Sequence, residues 1–260
     1  MLIPVNELTS IWRVKPTGII HVGAHEAEER DAYLSAGWKV PFLWVEAQNK
    51  KANQLKDRLP TGDKIVHAAA WSLSGVKLNL NVTNNSQSTS VLKLKDHSKK
   101  YPDVVVTNIE SVYTVTLDDL VIQNFLPEFI ALDIQGAELE ALKGAQNSLA
   151  KIKWVYTEVN KKELYSGCCL ISDIDSYLKK YEFVRVATKW VVGAGWGDAL
   201  YIKNHLVPKL TFREKLLWYS IMSKHYAEQL LIALYNHLPF NSRNLMKKFF
   251  VLLRKLLVFK

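Results

Sequence analysis

The strongest constraint on the fold is an alternation. Short apolar or β-branched runs, "GIIHVG" (18–23), "PFLWVEA" (41–47), "KIVHAAAW" (64–71), "FIALDIQG" (129–136) and "WVYTEV" (154–159), are separated by stretches of helical spacing at 26–36, 49–59, 137–149 and 171–180. Strand and helix alternating at this interval predict a parallel sheet covered on both faces, an α/β fold. "FVRVATKW" (183–190) and "DALYIK" (198–203) read as a closing antiparallel pair, and "VKLNLNV" (76–82) as an added strand. Residues 83–110, rich in Asn, Ser and Lys, read as one long polar segment. Segments of that length are usually functional or disordered.

Charge divides the chain. Its net +9 invites a polyanion as partner, but ten of the 34 basic residues and only two of the 25 acidic ones lie in 205–260. The body, 1–204, is nearly neutral and has little with which to hold a phosphate backbone, so nucleic acid is not expected as a partner. The composition shift predicts two regions, a catalytic domain over 1–204 and a basic helical extension over 205–260. In the extension, Phe212, Leu216, Leu217, Ile221, Leu230, Leu231 and Leu234 recur at helical spacing up to Pro239. A second helix, from Ser242 or Arg243 to Phe259, sets Leu245, Phe249, Leu252, Leu253, Leu256 and Leu257 opposite Lys247, Lys248, Arg254 and Lys255. Three roles fit residues 211–260: packing on its own domain or on a second subunit as a homodimer, peripheral contact with a membrane surface, or docking to a partner enzyme. No secretory signal and no continuous spanning segment is visible. The cysteines, Cys168 and Cys169, form neither a disulfide framework nor a metal half-site. A cytoplasmic location, with peripheral membrane association left open, is the expectation.

In an open parallel sheet, ligands bind beyond the carboxyl ends of the strands. The first run ends in Gly23-Ala24-His25-Glu26, the second in Glu46-Ala47-Gln48, the fourth in Asp133-Ile134-Gln135-Gly136 and the fifth in Glu158-Val159-Asn160. An acid ending the second strand can accept hydrogen bonds from both ribose hydroxyls of a nucleoside, and Glu46 lies 23 residues after Gly23. A pyrophosphate needs several glycines at the first turn, yet His25 and Ala27 occupy those positions. Acidic Glu26 and Glu28 would repel phosphates and suit an ammonium group. The turn therefore favours a nucleoside cofactor without phosphates, such as S-adenosylmethionine.

"HVGAHEAEER", "LWVEA", "NNSQSTSVL", "VYTVTLDDL", "LDIQGAELEALKGA", "VYTEVN" and "WGDALYIK", in that order, resemble the FkbM-type S-adenosylmethionine-dependent methyltransferases over about residues 17–203. The resemblance implies a Rossmann-like class I methyltransferase fold with a mostly parallel seven-stranded sheet. It also implies O-methylation of a sugar, glycan or related small-molecule hydroxyl. The family commonly has Asp where this chain has His21, so the carboxylate beside the methionine moiety is missing or replaced by Glu26 or Glu28. The cofactor-binding set expected on this basis is His21, Gly23, Ala24, His25, Glu26, Glu28, Glu46, Ala47, Ala69, Ser88 and Asp133.

Methyl transfer requires an aligned oxygen and a destination for its proton. Asp133 and Glu158 are expected as the catalytic pair, with His25 a third candidate base. Each has a plainer reading: Asp133 as a helix N-cap, Glu158 as a partner of Lys161 or Lys162, His25 as a helix cap. Glu140 reads as an ion-paired surface residue with Lys143, and Glu138 is undecided. Trp190 and Trp196 flank "VVGAGWGD", and Asp198 borders the cleft; the tryptophans would either stack on a sugar or pack in the core. No cluster has diagnostic metal-ligand spacing, so no required metal is predicted. Two other classes stay open: an NAD(P)-dependent oxidoreductase, and a degenerate binding module docking to a membrane or partner through the basic tail.

Overall fold

A computed structural model describes residues 1–121 and 127–237 of the chain. In chain order its elements begin with α1 (Val5–Ser10), β1 (Ile19–Val22), α2 (Glu29–Ser35), β2 (Phe42–Glu46), α3 (Asn49–Arg58) and β3 (Lys64–His67). Then come β4 (Ala69–Ala70), β5 (Lys77–Thr83), α4 (Asp96–Lys100), β6 (Val106–Val115), α5 (Leu117–Leu120), β7 (Phe129–Leu132), α6 (Glu138–Lys143) and β8 (Trp154–Asn160). The last are α7 (Ile171–Lys179), β9 (Phe183–Trp190), β10 (Trp196–Lys203) and α8 (Phe212–His237).

Seven strands form the main sheet in the order β3-β2-β1-β7-β8-β10-β9. All run parallel except β10, which is antiparallel to both β8 and β9. This is the class I methyltransferase fold. The chain winds outward from β1 to β3 and then returns to the other side of β1, so the strand order reverses between β1 and β7. A crevice opens at such a switch point.

Strict alternation within the buried strands assigns each side chain to a layer. Ile20, Val22, Leu43, Val45, Ile130 and Leu132 pack with Ala141 and Leu142 of α6 and Ile174 and Leu178 of α7. Out-of-phase residues face the other layer, where Phe42, Trp44 and Phe129 surround Tyr33 of α2 and Trp38. These strands are buried on both faces, which is why they read as continuous apolar runs.

Two sequence expectations change here. "KIVHAAAW" is two strands: β3 stays in the main sheet, while Ala69 and Ala70 pair with Thr114 and Val115 of β6 in a second sheet ordered β4-β6-β5. The polar segment 83–110 contains a 3-10 turn at Ser86–Ser88, helix α4 and the start of the ten-residue β6. Its strand shows no strict alternation because most side chains of β6 are exposed; pairing with β5 and β4 holds it, with Val112 packed against Ala69, Leu80 and Val82.

The described chain clusters into two compact units, Met1–Trp190 with Ala194–Lys209, and a second that contains α8. On α8, Phe212, Leu216, Leu217, Tyr219 and Leu230 are exposed. The second tail helix expected at 242–259 lies outside the described residues. Among the described residues, no helix is long and apolar enough to cross a membrane.

Candidate active site

The turn after β1 is built on one glycine that has no substitute. Gly23 has φ +84°, and a Cβ there would stand 1.9 Å from the Asp133 carbonyl oxygen. The backbones beyond β1 and β7 therefore meet at this point. His25 and Ala27 also lie in the left-handed region, at φ +47° and +56°. The turn follows a path that glycines adopt freely, with side chains where a glycine-rich turn has hydrogens. Its hold comes from β2: the Val45 carbonyl accepts from Gly23 N at 2.9 Å and Ala24 N at 3.1 Å. Beside it, Glu46 accepts His25 N on Oε2 at 2.8 Å and Gln48 N on Oε1 at 2.7 Å. Burial pushes the Glu46 carboxyl above its usual range, and those two backbone bonds pull it back. A carboxylate has about four acceptor sites, so two remain for a ligand.

Asp133 directly follows β7, and Glu158 lies on the adjacent strand β8, two residues before its end. A single amide joins them: Gln135 Nε2 donates to Asp133 Oδ1 at 2.7 Å and to Glu158 Oε2 at 3.0 Å. Gln135 is itself left-handed, at φ +54°, and its Oε1 accepts from the Tyr165 hydroxyl at 2.7 Å. Ser90 Oγ donates to the Gln135 carbonyl at 2.8 Å, so the bridging residue is fixed at both ends. Burial raises the Asp133 carboxyl to about 6, with Asp198 adding to the shift. Burial and then the Asp133 charge push Glu158 well above the carboxylate range. Two buried acids this close resist losing both protons.

Asp133 does not cap α6, whose N-cap is Ala137 with no side-chain cap; Glu138 instead braces the turn before the helix. Its Oε1 accepts from Ile134 N and Gly136 N, each at 3.1 Å, while the side chain is wholly buried. Glu138→Ala would orphan two backbone donors, costing about 2 to 6 kcal/mol in unfolding free energy at ~1–3 kcal/mol each. Denaturant melts of the ligand-free protein check this, and a loss below about 1 kcal/mol would contradict it. Burial also raises the Glu138 carboxyl to about 7. The native state thus keeps a proton that the unfolded chain releases near its ordinary value. The stability from this group is complete below that value and is lost as pH rises through about 7. Glu138→Gln should flatten that part of the stability profile.

These residues surround a cavity of about 430 Å³ at the switch point. Of the expected set, Gly23, His25, Glu28, Glu46, Ala47, Ala69, Ser88, Asp133 and Glu158 line it, and Asp198 borders it as expected. His21, Ala24 and Glu26 do not. Alternation along β1 turns His21 into the aromatic layer, where Nδ1 meets the Tyr33 hydroxyl at 3.0 Å and the ring lies 4.9 Å from Trp44. Ala24 is fully buried in the turn, and Glu26 points out to Lys51 and Arg58. The acid facing the cavity in this loop is Glu28.

His25 neither caps α2 nor has a nitrogen free for an acceptor's proton. Its Nδ1 binds Glu28 at 2.7 Å and its Nε2 binds Ser86 Oγ at 2.9 Å, tying the first turn to the segment after β5. Glu158 pairs with Gln135 rather than with Lys161, whose Nζ sits 4.1 Å over the Trp190 ring. Glu140 does pair with Lys143, at 2.6 Å. Trp196 lines the cavity and Trp190 does not. Sequence reasoning missed Gln135 as a bridge and the lining residues His97, Tyr101 and Tyr165. Gln135 was present in the "LDIQGAE" motif; the other three come from connections with no periodic signal.

The lining suits a cationic nucleoside better than a pyrophosphate. Glu28, Glu46, Asp133, Glu158 and Asp198 all face inward. Among the described lining residues Lys51 is the one lysine or arginine, and it is paired with Glu26 at 2.5 Å. Fold and site together define an S-adenosylmethionine-dependent methyltransferase. Residues 21–185 match the family described as the methyltransferase FkbM domain, and the chain belongs to that family. It is 24% identical over 198 residues to the 2-O-methyltransferase NoeI of Sinorhizobium fredii, covering 72% of this chain and 82% of that protein. Solved structures that it resembles include the magnesium protoporphyrin IX methyltransferase of Synechocystis with bound S-adenosylmethionine (8% identity, TM-score 0.40, 71% of this chain and 69% of that one). TrmK of M. capricolum with S-adenosylhomocysteine is another (10%, 0.43, 92% and 90%). Among the described residues, no group of three or more His, Cys, Asp or Glu is placed to hold a metal ion.

Proposed function

We propose that this chain is an O-methyltransferase acting on a hydroxyl of a sugar, a glycan or a related small molecule. The observation that carries the reading is the Asp133–Gln135–Glu158 bridge at the ends of the two central strands, open to the cavity. That the Sinorhizobium relative is a 2-O-methyltransferase supports the choice of oxygen.

Glu46 holds the ribose hydroxyls on its two remaining acceptor sites, with Ala47, Ala69 and Ser88 around the nucleoside. Gly23 lets the backbone approach, and Glu28 and Asp133 offset positive charge. The bound cofactor would supply a methyl group activated by sulfonium, and the cleft's own residues would align an acceptor oxygen with it. An alcohol keeps its proton at neutral pH, so a placed base contributes about 10² to 10⁴-fold. The Asp133–Glu158 pair carries one negative charge near neutrality. Its ionised member takes the hydroxyl proton, while its neutral member and Gln135 orient the acceptor.

Trideuteromethyl-labelled S-adenosylmethionine, incubated with the protein and a panel of methyl glycosides and disaccharides, tests the reading by mass spectrometry and NMR. One label on a ring or side-chain oxygen is expected. Transfer to nitrogen or carbon alone, or to none of the panel, would overturn it.

A further inference from the structure

We propose that Tyr165 is a positioning residue for the reaction: its hydroxyl holds the Gln135 side-chain amide with the NH2 group turned to Asp133 and Glu158, which favours the form of the pair that can accept the acceptor's proton. The inference rests on the O-methyltransferase reading and adds to it a residue that acts on the acids through Gln135. Tyr165 stands in the aromatic wall of the cavity with His97, Tyr101 and Trp196, and is only 1% exposed. A distant segment sets its place. Leu94 bridges to Tyr165, Ser166 N donates to the Lys93 carbonyl at 2.8 Å, and Tyr165 packs with Leu92, Leu94 and Cys168. This segment lies directly on the turn after β7: a Cβ at Gly136 (φ +100°) would stand 3.3 Å from Tyr165 Cβ and 2.8 Å from Cys168 Cβ. Beside that glycine, Gln135 keeps its left-handed backbone, which a non-glycine residue holds only where its surroundings over-determine it.

The Tyr165 hydroxyl has one proton to give. Burial, and then the charges of Glu158, Glu138 and Asp133, raise its pKa, so the phenol stays protonated at any working pH. Gln135 Oε1 lies 2.7 Å away and the next acceptor, the Ser88 carbonyl, 3.5 Å, so the proton goes to the amide oxygen. With Oε1 occupied in this way, Nε2 turns both its protons to the acids, one to Asp133 Oδ1 at 2.7 Å and one to Glu158 Oε2 at 3.0 Å. An amide turned over would aim its oxygen at two carboxyls and oppose their ionisation. As built, it donates to the acids, and a hydrogen bond to the charged form favours that form. The other groups facing the pair pull both ways. Asp198 of β10, Glu138 of α6 and Glu29 of α2 oppose ionisation, whereas the Met1 amino group favours it for Asp133, and Asn160 Nδ2, donating at 3.4 Å, favours it for Glu158. Gln135 is the donor that both acids share.

The test follows kcat/KM for a methyl glycoside against pH in wild type, Tyr165→Phe, Gln135→Met and the double variant. Tyr165→Phe keeps the ring and removes the hydroxyl; Gln135→Met removes the amide at similar length. Tyr165→Phe is expected to move the rise of kcat/KM upward by about one pH unit, roughly a tenfold loss on the acid limb, with the high-pH plateau within about threefold of wild type. Gln135→Met should move the rise at least as far, and the double variant no further than Gln135→Met, because Tyr165 acts through the amide. A role in packing alone would lower the whole profile and leave its midpoint in place. That outcome, or additive shifts in the double variant, would overturn the inference and leave the O-methyltransferase reading standing. The ¹³C resonance of the Asp133 carboxyl, titrated in the ligand-free protein, needs no turnover and keeps the two apart. If wild type methylates no sugar the reading fails, and the inference is decided by that titration: a midpoint raised by about one unit in Tyr165→Phe supports it, and equal midpoints overturn it. Should Tyr165→Phe fail to fold, the Tyr165 hydroxyl proton of wild type decides. A proton protected from solvent exchange, whose resonance moves as the acids titrate, is the expected result; one that exchanges freely or stays fixed is an overturning result.

Discussion

Glu46→Ala is expected to weaken S-adenosylhomocysteine binding at least about 100-fold, read by calorimetry. Two hydrogen bonds from ribose hydroxyls to a charged acceptor contribute about 1.5–3 kcal/mol each, and ~1.4 kcal/mol is a factor of ten. The substitution also removes the acceptor for His25 N and Gln48 N, which loosens the turn over the cofactor and adds to the loss. S-Adenosylhomocysteine is the suitable probe because its sulfur is neutral, so the result reports the nucleoside end rather than the charge of the cleft. NADH run beside it should give no signal in either protein, since the inward carboxylates repel a pyrophosphate. Undiminished S-adenosylhomocysteine affinity in the variant, or NADH binding to wild type in its place, would remove Glu46 from the ribose and revive the oxidoreductase alternative.

Asp133→Asn should lower kcat by about 10² to 10⁴-fold, the usual contribution of a placed base, whereas Glu158→Gln, which keeps a neutral hydrogen-bonding side chain, should cost less. Both variants keep hydrogen-bonding side chains of the same size, so the loss reports protonation rather than a cavity. In wild type, kcat/KM should rise with pH as the pair loses a proton, with an apparent value near the figure of about 6 to which Asp133 is raised. That value belongs to the pair, because the two acids share one amide and repel each other. The rise disappears in the variant that lacks the ionising member. Turnover within threefold of wild type in both variants would transfer the proton's destination to solvent.

The parts of this account that the sequence makes legible are those governed by local periodicity. Glu46, Asp133 and Glu158 each follow a buried run whose boundary is visible, and a parallel sheet converts that position into a place at one edge. The phase along β1 was legible too, since Ile20 and Val22 leave His21 to the opposite layer; the resemblance to the family overrode it. What stayed hidden depends on contacts between distant segments. Gln135 becomes a bridge only once β7 and β8 are adjacent, and His97 reaches the cavity only because α4 packs against Tyr165, far along the chain. Glu138 was undecided because a carboxylate two residues after a glycine turn looks the same whether it caps backbone donors inward or meets solvent. β6 was lost because its apolar residues, Val106, Ile109, Val112, Tyr113 and Val115, do not alternate, and Val106, Ile109 and Tyr113 are exposed.

The most direct test of the central claim is a crystal structure of the protein with S-adenosylhomocysteine. The account predicts the ribose hydroxyls on Glu46, the backbone of Gly23 against the ligand, and the sulfur directed toward the Asp133–Glu158 pair with the aromatic wall still open beyond it. A nucleoside bound outside this cavity, or seated with its ribose against Trp196 and away from Glu46, would contradict it.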